Sequence, residues 1–241
     1  MAGAGRVRVE PCGKRVRATF GGEVVFDTTN PLLVFEGPHY PHYYVPWSDV
    51  RSELFVASDT TSHSTSRGEA RHHTIKAGGR EAVDAAWDYP EPKIEELRDH
   101  LRFDWDALDH WFEEDEEVIV HARNPFHRVD ILASSRHAKV VIGGVTVAES
   151  HKPTLLFETS LKTRVYLPLT DVRLDLLVPS DSHTGCPYKG TASYYSVEVD
   201  GTRHDDVAWY YPSPLLESIK IAGMVAFYNE RVELTVDGVA L

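Results

Sequence analysis

Apolar and polar residues alternate along this chain in short runs, each closed by a tight-turn signal. Residues 16–20 and 23–26 flank Gly21-Gly22, and residues 140–142 and 145–147 flank Gly143-Gly144. Two adjacent glycines supply the positive φ angles that a type I′ hairpin demands. In the same way Gly78-Gly79 parts 71–76 from 81–86, and Asp200-Gly201 parts 192–199 from 202–208. A further strand over 232–236 runs into Asp237-Gly238. The stretch 193–199 (Ser-Tyr-Tyr-Ser-Val-Glu-Val) has the aromatic and β-branched content of a strand. Helical spacing is confined to 92–98, its weaker echo at 214–218, and 104–112, where Trp105, Leu108, Trp111 and Phe112 follow acidic residues. The pattern predicts a mainly β protein with a short connecting helix.

The signals also repeat. Gly21-Gly22 and Gly143-Gly144 lie 122 residues apart, as do Phe35-Glu36 and Phe157-Glu158, Tyr44 and Tyr166, Asp49 and Asp171, and Trp87 and Trp209. One register shift without gaps therefore lays most of a first repeat onto a second, which predicts two tandem copies of a small β-rich domain. The boundaries expected are 14–120, a connector over 121–136, and 137–241. The segment 104–112 finds little counterpart in the second half, so it is read as an added helix packing the halves together. The acidic run 113–117 that follows reads as a solvated charged end.

Composition narrows the function classes. A formal net charge of −12 argues against a nucleic-acid or anionic-membrane surface, both of which need an excess of Lys and Arg. Cys12 and Cys186 occupy non-equivalent places, which fits unpaired thiols in a reducing compartment. There is no long apolar run, and residues 1–6 lead into no apolar signal core, so a cytoplasmic location is expected. The 13 histidines form no metal-ligand pattern, and no metal or other cofactor is expected.

The shift that preserves the scaffold sets Ser64-Thr-Ser-Arg67-Gly68 against Cys186-Pro-Tyr-Lys189-Gly190. A loop that changes on a retained scaffold is the best candidate for chemistry. Pro187 holds Cys186 extended, and Lys189 three residues on favours a thiolate if the side chains converge. Cys186 and Lys189 are the catalytic candidates. Glu158, Tyr188, Tyr195 and His183 are candidate ligand contacts, Tyr195 or its neighbour Tyr194 because the first half has His72-His73 there. For Glu158 the residues themselves offer Arg173 as a structural partner, with Arg51 for Glu36. Asp49 and Asp171 read as turn caps.

The second half resembles the bacterial DUF427 family, also labelled nucleotidyltransferase-like. The resemblance rests on Val147-Ala-Glu-Ser150, Leu156-Phe-Glu158, Tyr166-Leu-Pro168, Cys186-Pro-Tyr-Lys-Gly190, Ala192-Ser-Tyr-Tyr195, Trp209-Tyr-Tyr-Pro-Ser-Pro214 and Val225-Ala-Phe-Tyr228. The first half looks like a diverged member, and the whole like the tandem form of the family. The resemblance implies a compact β-rich domain related to the β-tent group, and in that family picture Glu158 has a second partner open to it, Lys189 across the loop. It implies no activity: nucleotidyl transfer finds no spaced aspartates or phosphate-cradling glycine loop here. The zinc knuckles of β-tent relatives also lack their cysteines.

Two expectations of different class follow. In one, the second repeat binds a small molecule, anionic or carbonyl-bearing, with or without catalysis, in a pocket around Cys186 and Lys189. In the other, the two repeats form a non-catalytic platform for a protein partner, presented by the acidic run and the helix of Trp105 and Trp111.

Overall fold

The computed structural model describes residues 7–241, so the signal-segment reading of residues 1–6 lies outside it. The chain divides into two compact units after Asn124. Both are built from strands, and among the described residues no helix reaches seven residues.

In the first unit one antiparallel sheet has the order β1 (Arg8–Pro11), β4 (Leu32–Phe35), β5 (His42–Pro46), β9 (His100–Phe103), β8 (Arg80–Asp88), β7 (Gly68–Ala77), β6 (Phe55–Ser64). A second has the order β3 (Glu23–Thr28), β2 (Val16–Phe20), β10 (His110–Glu113), β11 (Glu116–Val118). The second unit repeats both. Its larger sheet runs β12 (Val129–Ala133), β15 (Thr154–Glu158), β16 (Arg164–Pro168), β20 (Met224–Phe227), β19 (Thr202–Tyr210), β18 (Gly190–Val199), β17 (Leu177–Cys186). Its smaller one runs β14 (Val145–Ser150), β13 (Ala138–Ile142), β21 (Glu233–Val236), β22 (Val239–Ala240). Strand for strand, the second unit copies the first.

Period-two alternation places the core. On β2 and β13 alternate residues are buried, and they meet alternate residues of the larger sheet. Val16, Phe26, Val45, Ile75, Phe103 and Trp111 fill the space between the sheets of the first unit. Val140, Leu167, Val197, Val225, Phe227 and Leu234 do so in the second. The opposite face of each larger sheet carries its own cluster, with Tyr44, Tyr89 and Leu97 in the first unit and Tyr166, Trp209, Tyr211 and Ile221 in the second. The hairpin turns form as expected: Gly21, Gly22, Gly143 and Gly144 all have positive φ.

The helix expected over 104–112 is absent. Asp104 accepts a hydrogen bond from the Asp106 N–H, which caps a single 3-10 turn at Trp105–Ala107. The chain then enters β10, pairs with β2 and β11, and buries Trp111 and Glu113 while His110 and Phe112 alternate outward. Tertiary pairing overrides a spacing that suited a helix as well as a strand. Nor is this segment peculiar to the first unit: β10 and β11 correspond to β21 and β22, at an interval of 123 rather than 122 residues. The run 113–117 is the β10–β11 hairpin, with Glu113 buried. At 92–98 only Glu95–Leu97 is helical, again as a 3-10 turn, and the echo at 214–218 is a 3-10 segment over Leu216–Ile221. Both copies also start earlier than expected, since β1 precedes residue 14 and β12 lies inside the stretch 121–136 read as a connector.

Candidate functional site

The Cys-Pro-Tyr-Lys-Gly segment is the turn joining β17 to β18. Cys186 pairs with Gly190 across it, and the Lys189 N–H donates to the Cys186 carbonyl at 3.3 Å. Gly190 takes φ of +98°, and a Cβ there would sit 3.2 Å from the Ser213 carbonyl oxygen. The 3-10 segment after β19 clamps the turn from outside. The N–H of its N-cap residue Leu215 donates to the Lys189 carbonyl at 3.1 Å, and the Ser218 hydroxyl to the Tyr188 carbonyl at 3.0 Å.

The turn delivers Lys189 onto the outward face of the larger sheet, where its ammonium donates to Glu158 Oε2 at 2.6 Å. Both side chains are about nine-tenths buried, at 10% and 8% exposure. The other oxygen, Oε1, faces His127 Nε2 at 3.0 Å, and the His127 ring stacks on Tyr188 with centroids 4.4 Å apart. Burial alone would raise the Glu158 carboxyl; the charge and hydrogen bond of Lys189, with His127, instead hold it below the usual carboxylate range. Aromatic residues wall the pair. Trp209 Nε1–H donates to the Tyr166 hydroxyl at 3.1 Å, and the Tyr194 hydroxyl meets Thr184 Oγ1 at 2.7 Å. Burial pushes the Tyr166 and Tyr211 phenols well up, and Glu158 and Cys186 add to both. Tyrosines so placed are neutral donors and acceptors, suited to orienting a polar ligand rather than abstracting a proton.

Of the residues singled out in the sequence, Cys186, Tyr188, Lys189 and Glu158 come together here. Tyr195 and His183 do not. Alternation along β18 sends Tyr194 to the site and Tyr195 to the opposite face, where it stacks on Tyr210 at 4.8 Å. His183 lies opposite Ser193 on that same far face, exposed, with Nδ1 3.2 Å from the Ser193 hydroxyl. Of the two partners open to Glu158, Lys189 is the one found; Arg173 pairs with Asp175, and Arg51 with Glu23 and Glu53. Asp171 and Asp49 each accept a hydroxyl hydrogen bond at 2.6 Å, from Ser150 and Thr28. The sequence reading missed His127, Tyr166 and Tyr211. A histidine in a segment taken as connector carried no signal, but Tyr166 and Tyr211 were marked by having tyrosine counterparts in the first half.

The first unit holds the corresponding constellation. Glu36 stands where Glu158 does, and Arg67, the counterpart of Lys189, reaches Glu36 Oε2 at 3.3 Å. The loop has lost its Cys and Lys but kept a cation. The Tyr44 hydroxyl donates to Glu36 Oε1 at 2.7 Å, replacing the contact that His127 makes in the second unit.

Fold and site together define a tandem β protein in which each copy carries a nearly buried acid–cation pair beside aromatic side chains. Its sequence matches the model of the family described as "Domain of unknown function (DUF427)" twice, over residues 8–114 and 130–238, and the chain belongs to that family. No curated protein is significantly similar to it.

Proposed function

We propose that the second repeat binds a small molecule bearing a carboxylate or carbonyl group, with Lys189 as its anchor. The observation that carries this is an ammonium held almost out of water by Glu158, on the same strand-and-turn face as Cys186 and among tyrosines able to donate or accept. Keeping an ion pair out of water costs desolvation, which hydrophobic residues of similar volume would avoid. Glu158 fixes the ammonium, and donors of Lys189 not used by Glu158 are available to a ligand oxygen. Should chemistry follow, the thiol of Cys186 adds to the ligand carbonyl. The S–C bond forms, the C=O π bond breaks, and the thiol proton passes to the carbonyl oxygen.

The test is a titration with pyruvate, which carries both groups, read from the aromatic and indole NMR signals of Tyr188 and Trp209. Saturable shifts in the native protein that vanish in Lys189→Met but persist in His183→Ala support the reading. Shifts unchanged in Lys189→Met, or no shifts with pyruvate in the native protein, overturn it. The platform reading rests on a narrower surface, since Trp111 is core and Trp105 stacks on it at 4.5 Å, while residues 114–117 of the acidic run are exposed.

A further inference from the structure

Among the differences between the two sites, one places a second guanidinium beside the carboxylate of the first unit. Tyr44 on β5 pairs with Arg102 on β9, whereas the equivalent Tyr166 on β16 pairs with Ala226 on β20. The extra guanidinium lies against Glu36, with Arg102 Nε 3.0 Å from Oε1, and over the Trp87 ring at 4.3 Å. Glu36 thus faces two arginines, Arg67 and Arg102, whose side chains are only 16% and 14% exposed. Arg102 Nε, though close to Glu36, is a buried nitrogen without a hydrogen bond of good geometry. Residues 1–6 contain no acidic side chain that could supply a second carboxylate.

From this charge count we propose that the first repeat has its own ligand site, distinct from that of the second, which takes a small oxyanion between Arg67 and Arg102. Guanidiniums stay protonated in proteins, and their planar forks match carboxylate and phosphate oxygens. One carboxylate shared by two of them leaves one positive charge over in a place with little water. An oxyanion closes that count and gives Arg102 Nε an acceptor. The second unit has Ala226 at this position and no such excess: Lys189 is matched by Glu158, and Arg164, which stands at the place of His42 and lies over Trp209, is matched by Glu230.

His42 is the built-in reporter. Its ring nitrogens lie 3.1 and 3.2 Å from an Arg102 terminal nitrogen, and Tyr40 stands edge-on to it at 5.6 Å. Burial, then the charge of Arg102, pushes the imidazole down to about 4; Arg67 and His121 add to the fall and Glu36 opposes it. An anion bound between the arginines offsets their charge, so the His42 midpoint must rise on binding, and the anion must bind more tightly as pH falls.

The experiment is an NMR titration of the His42 ring in the full chain, with the signal assigned by His42→Asn, against inorganic phosphate and separately against acetate. A saturable rise of the midpoint in the native protein and in Lys189→Met is expected. Its loss is expected in Arg102→Ala, which installs the residue found at the same place in the second repeat. Arg67→Lys, which likewise copies the second repeat, is expected to weaken binding about tenfold, because a lysine cannot fork onto two oxygens. A response to phosphate alone or to acetate alone assigns the class of oxyanion. No response to either at about 50 mM, where even millimolar affinity saturates, overturns the proposal. So does a response that survives both Arg102→Ala and Arg67→Lys. Since Lys189→Met leaves this site intact, failure here and failure of the pyruvate site are separate results.

Discussion

Removing the ammonium of Lys189 gives the most direct test of how the second repeat is held together. Lys189→Met leaves the Glu158 carboxylate, with its side chain 8% exposed, facing only His127 at 3.0 Å. Breaking a buried pair on one side costs roughly 3–5 kcal/mol, and the surviving His127 contact brings the expected loss to about 2–3 kcal/mol. Lys189→Arg installs the cation of the first repeat and is expected to stay within about 1 kcal/mol of the native protein. The double variant Lys189→Met/Glu158→Leu removes the orphaned charge along with its partner. It is therefore expected to lose less than the two single variants together, with a coupling of about 2 kcal/mol.

Trp209 is the only tryptophan of the second unit, so its indole signal followed through a urea titration reads the stability of that unit. The acid limb gives a second reading. The folded Glu158 carboxyl binds its proton less readily than the unfolded one. Its contribution is therefore complete above the unfolded value, near 4.3, and is lost as pH falls through that value toward the lower folded one. In Lys189→Met the folded carboxyl rises and this loss on acidification shrinks. A single variant within about 0.5 kcal/mol of native, or a double variant that costs the full sum, would refute the claim that the pair is coupled.

Other outcomes follow from the same geometry. His42, held down to about 4 against an ordinary 6.5, binds fewer protons folded than unfolded between those values. Its contribution of up to about 3 kcal/mol is full above pH 6.5, falls as pH drops to about 4 and is flat below, and Arg102→Ala should raise the midpoint. Cys12 is 7% exposed with its thiol pushed up by burial, whereas Cys186 is half-buried at a turn, so brief iodoacetamide treatment of the native protein should label Cys186 first by peptide mass. Equal labelling would contradict these placements. Gly190→Ala must adopt φ of +98° with its Cβ pressed on the Ser213 carbonyl, and should cost more than about 1 kcal/mol by urea denaturation, while Gly22→Ala, whose Cβ meets nothing within 4 Å, should cost less.

The hairpins and the duplication were legible because both are written locally: paired turn residues fix strand ends, and a constant interval fixes the repeat. The helix was misread because Trp105, Leu108 and Trp111 satisfy a helical period, and only pairing with β2 shows that 110–113 is a strand. The shift of interval from 122 to 123 hid the match between β10 and β21 from an ungapped comparison. At the site, the loop and Glu158 were found, yet the choice between Tyr194 and Tyr195 turned on strand facing. The extra residues of the two register shifts lie on the neighbouring strands β17 and β19, so alternation along β18 is unbroken and Tyr195 shares its face with Val197 and Val199. His127 was out of reach, since it comes to Glu158 from 31 residues away and stands outside any motif.

The two copies act as a substitution experiment on one backbone. Where the contacts agree, the fold is the simplest cause. Glu114 accepts from the Arg15 N–H at 2.9 Å and Asp237 from the His137 N–H at 3.0 Å, each tying the same hairpin turn to the same strand. Where they differ inside the core, the fold tolerates the change. The buried Tyr43 hydroxyl donates to Glu113 at 2.5 Å in the first copy, while buried Val165 and Val236 stand at those places in the second. By this standard the acid–cation pair, kept as Glu36–Arg67 and Glu158–Lys189, belongs to the shared frame, and its retention says nothing about catalysis. The surrounding residues separate the copies: Cys186, Tyr188 and His127 in one, Arg102 and His42 in the other. A frame that fixes one cation on the outer face of each sheet, with free choice of neighbours, lets two sites on one scaffold take different ligands.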